Sequence, residues 1–217
     1  MKILINALSG IGDALMFTPA LKLLRENSPD SQIDILVMYK GAEEMFIRTG
    51  LADRVIFHNF LFSSKIQSLR FIFSLRNKYD ASINVYPSNR LEYNAINFLL
   101  GASARYAVKY NHLDCINFGF LNNRRIKENN KLHNVEENLL MVSHLLGKTQ
   151  LNAGPLLFPV KQEDLSGAEE IIKRAGLHNK RIIGFHAGCS TLKNHINRRW
   201  PEQNFAELGK LLIRNTD

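Results

Sequence analysis

Cysteine is nearly absent: Cys115 and Cys189 are the only two in 217 residues, far apart and without CxxC spacing. That pattern suggests neither a disulfide framework nor a cysteine zinc site, and a reducing cytosol fits it. Long apolar runs are missing too. No stretch approaches the roughly 18 apolar residues of a spanning helix, and the opening MKILINALSG lacks the core of a secretory signal, so any membrane contact is expected to be peripheral. There is no DxD pair to hold a divalent cation, no low-complexity tract and no internal repeat. Neither a metal-dependent site nor a repeat architecture is therefore expected.

Acid is the scarcer charge. Against 28 lysines and arginines stand 20 aspartates and glutamates, a net charge of +8. This balance favours anionic partners such as a nucleotide, a phosphorylated glycolipid or an acidic membrane surface, although the same charge also serves solubility. The densest basic cluster, Arg124, Arg125 and Lys127, has no interleaved aromatics of the kind that stack on bases, so no nucleic acid partner is expected. Hydrophobic residues at 45% and charged residues at 22% make the composition that of a folded globular chain.

Six short aliphatic runs, KILINAL, QIDILVM, RVIFH, YDASINVY, ARYAVKY and RIIGFH, alternate with helical patterns. The alternation predicts parallel strands joined by crossover helices, an α/β fold with a Rossmann-like sheet. Between the first two runs Phe17, Ala20, Leu21 and Leu24 fall at helical spacing, and Pro19 behind Thr18 predicts a helix kinked or restarted there. Asn134 with Glu137 reads as a capping box for the next strong helical pattern, with Gly147 as its C-cap. KTQLNAGPLLFPV has no period and three glycine or proline residues, the signature of a linker. The expected organisation is a domain over 1–150, a linker over 151–161 and a truncated second Rossmann-like domain over 162–217. That last segment is expected to hold a helix from about Glu163 to Ala175, the strand RIIGFH and a final helix from Pro201.

Two segments carry candidate chemistry. The first is Ser9-Gly10-Ile11-Gly12-Asp13, where the first strand hands over to the first helix. Glycines there let a ligand approach backbone closely, and a helix N-terminus attracts negative charge. As a dinucleotide fingerprint it fails, because Leu15 stands where a third glycine belongs and no acid ends the second strand. Asp13 has two readings, a helix N-cap or a general base at the carboxyl end of a parallel strand. The second segment is the loop Gly188-Cys189-Ser190-Thr191, followed by Arg198, Arg199 and Trp200-Pro201 at a helix start. Backbone NH groups, hydroxyls and guanidinium suit a diphosphate; an ordinary polar loop has the same residue types. His133 reads as a contact near an interdomain cleft or as a residue beside a helix cap, and Trp200 as packing rather than a stacking platform.

GxGD at Gly10 to Asp13, the following Thr18-Pro19, HxVExN from His133 to Asn138, and HxGxS from His186 leading to Arg198-Arg199-Trp200-Pro201 resemble glycosyltransferase family 9. This family contains the bacterial heptosyltransferases that build the lipopolysaccharide inner core. The resemblance implies a GT-B fold, with two Rossmann-like domains facing across a cleft, the first binding acceptor and the second nucleotide-sugar. It implies an inverting, metal-independent transfer from ADP-heptose to an anionic glycolipid, without a cofactor. Asp13 then matches the base, with Ser9, Gly10 and Gly12 in the acceptor-side loop, and Gly188, Ser190, Thr191 and Arg198 in the donor phosphate loop. Arg198 stands where the family usually has lysine. A related transferase with another nucleotide-sugar or acceptor, or a truncated, non-catalytic remnant, are the rival readings.

Overall fold

The computed structural model describes residues 1–149, 152, 154–188 and 198–215. The chain divides into two compact units, Met1–Pro159 and Val160–Asp217.

The first unit is built on strands β1 (Lys2–Ala7), β2 (Gln32–Val37), β3 (Arg54–Phe57), β4 (Ala81–Asn84), β5 (Ala104–Lys109) and β6 (Arg124–Lys127). They form one sheet in the order β3-β2-β1-β4-β5-β6, with every neighbouring pair parallel. A parallel sheet needs helices on both faces, which is why the central strands read as nearly continuous apolar runs. Helices α1 (Ile11–Asn27), α2 (Lys40–Thr49) and α5 (Asn134–Leu146) supply Phe17, Leu21, Met45, Phe46 and Val142 to the face that carries Ile3, Ile5, Ile33 and Ile35. Helices α3 (Lys65–Leu75) and α4 (Leu91–Leu99) cover the other face, where Ile72, Leu75, Tyr93 and Ile96 meet Leu4, Leu8 and Leu36. Strand order reverses between β1 and β4, and open α/β sheets bind ligands at the carboxyl edge of such a switch point.

Three local expectations are corrected. Helix α1 does not restart at Pro19 but runs unbroken from Ile11 to Asn27. Pro19 has no NH to give the carbonyl of Leu15, and the Thr18 hydroxyl donates to that carbonyl instead, at 2.8 Å. The capping box of α5 lies one residue earlier than predicted. His133 is the N-cap, its Nδ1 accepting from Val135 N at 3.3 Å, while its NH donates to Glu136 Oε2 at 2.7 Å. Gly147 does end the helix, in the left-handed conformation. Finally, RRIK, read as a charge cluster, is the edge strand β6, where a single ladder and exposed charges suffice.

Between β1, β4 and α4 lies a closed ring of five buried asparagines. Asn6 donates to Asn84 (3.2 Å) and Asn97 (2.9 Å), Asn84 to Asn94 (3.2 Å), Asn97 to Asn122 (2.7 Å) and Asn122 back to Asn94 (2.8 Å). Burial of amides is tolerable only because each finds another.

In the second unit α6 (Gln162–Arg174) and α7 (Glu202–Asn215) form close to where the sequence places them. RIIGFH does not form a strand. A strand exists by its ladder, and among the described residues of this unit no neighbouring strand offers one. Among the described residues no helix is long and apolar enough to cross a membrane.

Candidate functional site

The carboxyl edge of the sheet gathers the loops after β1 and β4. Ser9 Oγ donates to the Pro87 carbonyl at 2.8 Å, and the Tyr93 phenol of α4 donates to the Leu8 carbonyl at 2.9 Å. These two bonds hold the β1–α1 loop against the β4–α4 loop. Gly10 is the N-cap of α1, with φ −64° and ψ 169°, and provides no side-chain cap. Asp13 is therefore not the cap that one reading proposed; it is the third helical residue, half-buried in the first turn. A carboxylate there meets the positive end of the helix dipole.

The glycines of this loop have no structural necessity. Neither Gly10 nor Gly12 has positive φ, and a Cβ built on either would meet nothing within 4 Å. Both are exposed. Their absent side chains leave backbone NH groups bare at a helix N-terminus, the arrangement that accepts an anion or a close hydroxyl.

The facing β4–α4 segment carries residues whose part at this edge is not evident from sequence alone. Arg90, the exposed N-cap of α4, holds its guanidinium 5.9 Å from the Tyr93 ring centre. Burial pushes the Tyr93 phenol up to about 12, with the charges of Tyr39, Glu92 and Asp13 adding to the rise and Arg90 opposing it. Tyr93 thus stays a donor at neutral pH. The stretch YPSNR directly after a strand was the available signal, since carboxyl-edge loops carry ligands.

The neighbouring wall is densely hydrogen-bonded. Ser88 NH donates to the Tyr110 phenol at 2.6 Å, and the Tyr86 and Tyr110 rings stack at 5.6 Å. Burial, and then the bond from its hydroxyl to Glu128 at 3.1 Å, push Tyr86 up to about 12. Asn138 clamps the Tyr86 backbone on both sides, accepting from its NH at 2.9 Å and donating to its carbonyl at 3.1 Å. Buried Glu137 accepts from Asn129 NH at 2.6 Å, and its burial holds the carboxyl above the usual range. In HxVExN, then, His133 and Glu136 cap α5, and Asn138 fixes the loop beside the carboxyl edge. His133 is the cap itself.

In the second unit Gly188 has no atom within 4 Å of a built Cβ, and Arg198 is exposed. Ser190 and Thr191, with Cys189 and Lys193, lie outside the described residues. Trp200 packs edge-on against Phe205 at 4.9 Å, and the Pro201 carbonyl accepts the first NH bonds of α7. A concavity of about 410 Å³ is lined by Ala187, Arg199, Trp200, Glu202 and Phe205. Among the described residues no cluster of histidine, cysteine and carboxylate side chains is suited to a metal ion.

The sequence profile of glycosyltransferase family 9 (heptosyltransferase) matches residues 68–216. The chain belongs to glycosyltransferase family 9. Solved structures agree on its fold: a family 9 glycosyltransferase from Veillonella parvula superposes with a TM-score of 0.69 at 21% identity, over 98% of this chain and 59% of that one. The E. coli ADP-heptose lipopolysaccharide heptosyltransferase II gives 0.66 at 23% identity, over 99% and 62%. The E. coli heptosyltransferase WaaC, solved with ADP-2-deoxy-2-fluoro heptose, gives 0.62 at 22% identity, over 98% and 65%. This family 9 chain therefore has the α/β fold of GT-B type, and spans about three-fifths of the length of those structures. No curated protein sequence matches it.

Proposed function

We propose that this chain is part of an inverting heptosyltransferase that moves heptose from ADP-heptose to an anionic acceptor of the lipopolysaccharide inner core. The supporting observation is the geometry of Asp13. Its carboxylate stands in the first turn of α1, at the switch point between β1 and β4, beside two glycines that leave the approach open.

In this reading unit 1 takes the acceptor, with Ser9, Gly10 and Gly12 lining its loop, and unit 2 belongs to the donor side. Asp13 removes the proton from an acceptor hydroxyl as that oxygen attacks the anomeric carbon. The new glycosidic bond forms on the face opposite the breaking bond to phosphate, and ADP leaves with that electron pair, so the configuration inverts. Gly188, Ser190, Thr191 and Arg198, with the N-terminus of α7, stabilise the charge growing on the diphosphate, which makes a metal or cofactor unnecessary. The site of action is the cytoplasm, peripheral to the inner face of the inner membrane. Its WaaC relative was solved with ADP and with an ADP-heptose analogue, which favours an adenine nucleotide donor. A different nucleotide-sugar is the second reading, favoured by identities of only 21–23%.

Calorimetric titration with ADP, ADP-heptose and UDP-sugars, followed by a transfer assay on a deep-truncated lipopolysaccharide, tests the proposal. Saturable binding of the ADP compounds is expected, with a heptosylated product from a protein of the relatives' full length and none from these 217 residues alone, because phosphate contacts without the remaining nucleoside and sugar contacts do not orient the anomeric carbon. Preference for a uridine donor would establish the second reading, and no saturable binding of any nucleotide would mark the chain as a non-catalytic remnant.

A further inference from the structure

Helix α3 is apolar on two opposite sides. Ile72 and Leu75 turn inward to the sheet, with Phe71 partly buried beside them. The opposite side should be polar in a water-facing helix. Instead it presents Ile66 (65% exposed), Leu69 and Phe73 (51% exposed), at helical spacing, with Phe62 (80% exposed) just before the helix. Monomeric soluble proteins seldom leave so contiguous an apolar stripe in water.

Charge selects what covers it. No aspartate or glutamate occurs between Asp53 and Asp80, whereas Lys65, Arg70, Arg76 and Lys78 all do. Lys65 and Arg70 are exposed on or beside the stripe, and Arg76 lays its guanidinium 5.6 Å from the Phe73 ring centre. A second copy docked through this face would bring the same cationic rim against itself. An anionic bilayer would take the apolar side chains at the headgroup boundary and pair the rim with lipid phosphates, the long basic side chains reaching up to them.

We infer that the outer face of α3, from Phe62 to Phe73, is a docking surface for an anionic phospholipid membrane. Its position suits the proposed reaction, on which the inference rests only for the identity of the acceptor. The cap of α3, Ser64, follows β3, whose carboxyl end lies along the same sheet edge as the loop carrying Asp13. A protein seated by this face keeps that edge near a lipid-anchored acceptor.

Co-sedimentation of the 217-residue chain with vesicles tests the inference. Wild type is expected to bind phosphatidylcholine vesicles that contain phosphatidylglycerol, to bind pure phosphatidylcholine at least tenfold more weakly, and to be released by high salt. The variant Phe62→Ser/Ile66→Ser/Phe73→Ser, all exposed positions, should keep the circular dichroism of wild type and lose binding at least tenfold. The variant Lys65→Gln/Arg70→Gln keeps the apolar stripe and should lose about fivefold per residue removed. Undiminished binding by the serine variant overturns the inference, as does equal binding to neutral vesicles. A wild-type dimer that the serine variant converts to monomer assigns the face to a second copy instead. ADP titration on the same preparations reads the transferase proposal separately, so either can fail alone.

Discussion

The backbone NH of Leu157 donates to the hydroxyl of Thr18 at 2.9 Å, across 139 positions of sequence, while that hydroxyl donates to the Leu15 carbonyl. One oxygen thus substitutes for the NH that Pro19 lacks and ties the end of unit 1 to α1. Thr18→Val keeps the shape and removes both bonds, and is expected to lower stability by about 1–2 kcal/mol. Urea midpoints of Thr18→Val and Thr18→Ser decide it, since the serine should restore most of the loss.

In a protein of the relatives' full length, Asp13→Ala should cut turnover by roughly 100-fold or more, the scale of a lost general base. Its effect on stability should stay within about 1 kcal/mol, because the carboxylate interacts with the helix dipole without serving as a cap. Melting temperature and rate measured on one preparation separate the roles, and a near-wild-type rate would refute the catalytic assignment.

Gly12→Ala should leave the fold intact or strengthen it by about 0.5–1 kcal/mol, since alanine suits a helix better and a Cβ there meets nothing within 4 Å. Acceptor affinity should nevertheless fall about tenfold or more, the new methyl occupying space kept for the ligand. A variant with unchanged acceptor KM would show that the open space has no occupant.

Glu137 carries a pH signature. Its folded pKa is raised, by burial above all, so between the ordinary glutamate range near 4.3 and the raised value the folded state holds more protons than the unfolded one. Its contribution to stability is then present at low pH and declines as pH rises through that window. Glu137→Gln should remove this decline from a series of melting temperatures starting at pH 4. An identical slope in the variant would assign the titration to another group.

Asn97→Ala opens the amide ring, removing the bonds from Asn6 and to Asn122. The expected loss is about 2–3 kcal/mol, since the buried Asn122 Oδ1 loses its donor while the Asn6 side chain keeps only its bond to Asn84. Combined with Asn122→Ala the cost should be less than additive, because the second change removes the amide oxygen that the first had left without its donor. Denaturation of the two single variants and the double variant tests the coupling.

Much of this architecture was legible in the chain. The strands β1 to β5 announce themselves by β-branched and aliphatic runs, because a parallel sheet covered on both faces demands them. β6 escaped notice because an edge strand is free to be basic, and RIIGFH misled because composition does not supply a ladder partner. The capping box slipped by one residue: Asn134 with Glu137 and His133 with Glu136 have the same spacing, and preference for asparagine caps chose wrongly over an imidazole nitrogen. The GxGD loop could be picked out because it combines a strand end, glycines and an acid in a few residues. The asparagine ring could not, since its members lie up to 116 residues apart, from Asn6 to Asn122, and acquire meaning only when β1, β4 and α4 bring them together.

The switch point that creates the crevice also sets an order of events during synthesis. Lys2 NH meets the carboxylate of Asp80, 78 residues later, and β1 stays open on that side until β4 exists. The β1–β2 pair can assemble early, but the middle of the sheet must wait for a long loop to close, which makes folding slow compared with a fold of local contacts. A chain interrupted before Asn84 would present the unpaired apolar edge of β1 to its neighbours, so the centre of the finished molecule is the most aggregation-prone surface of the nascent one.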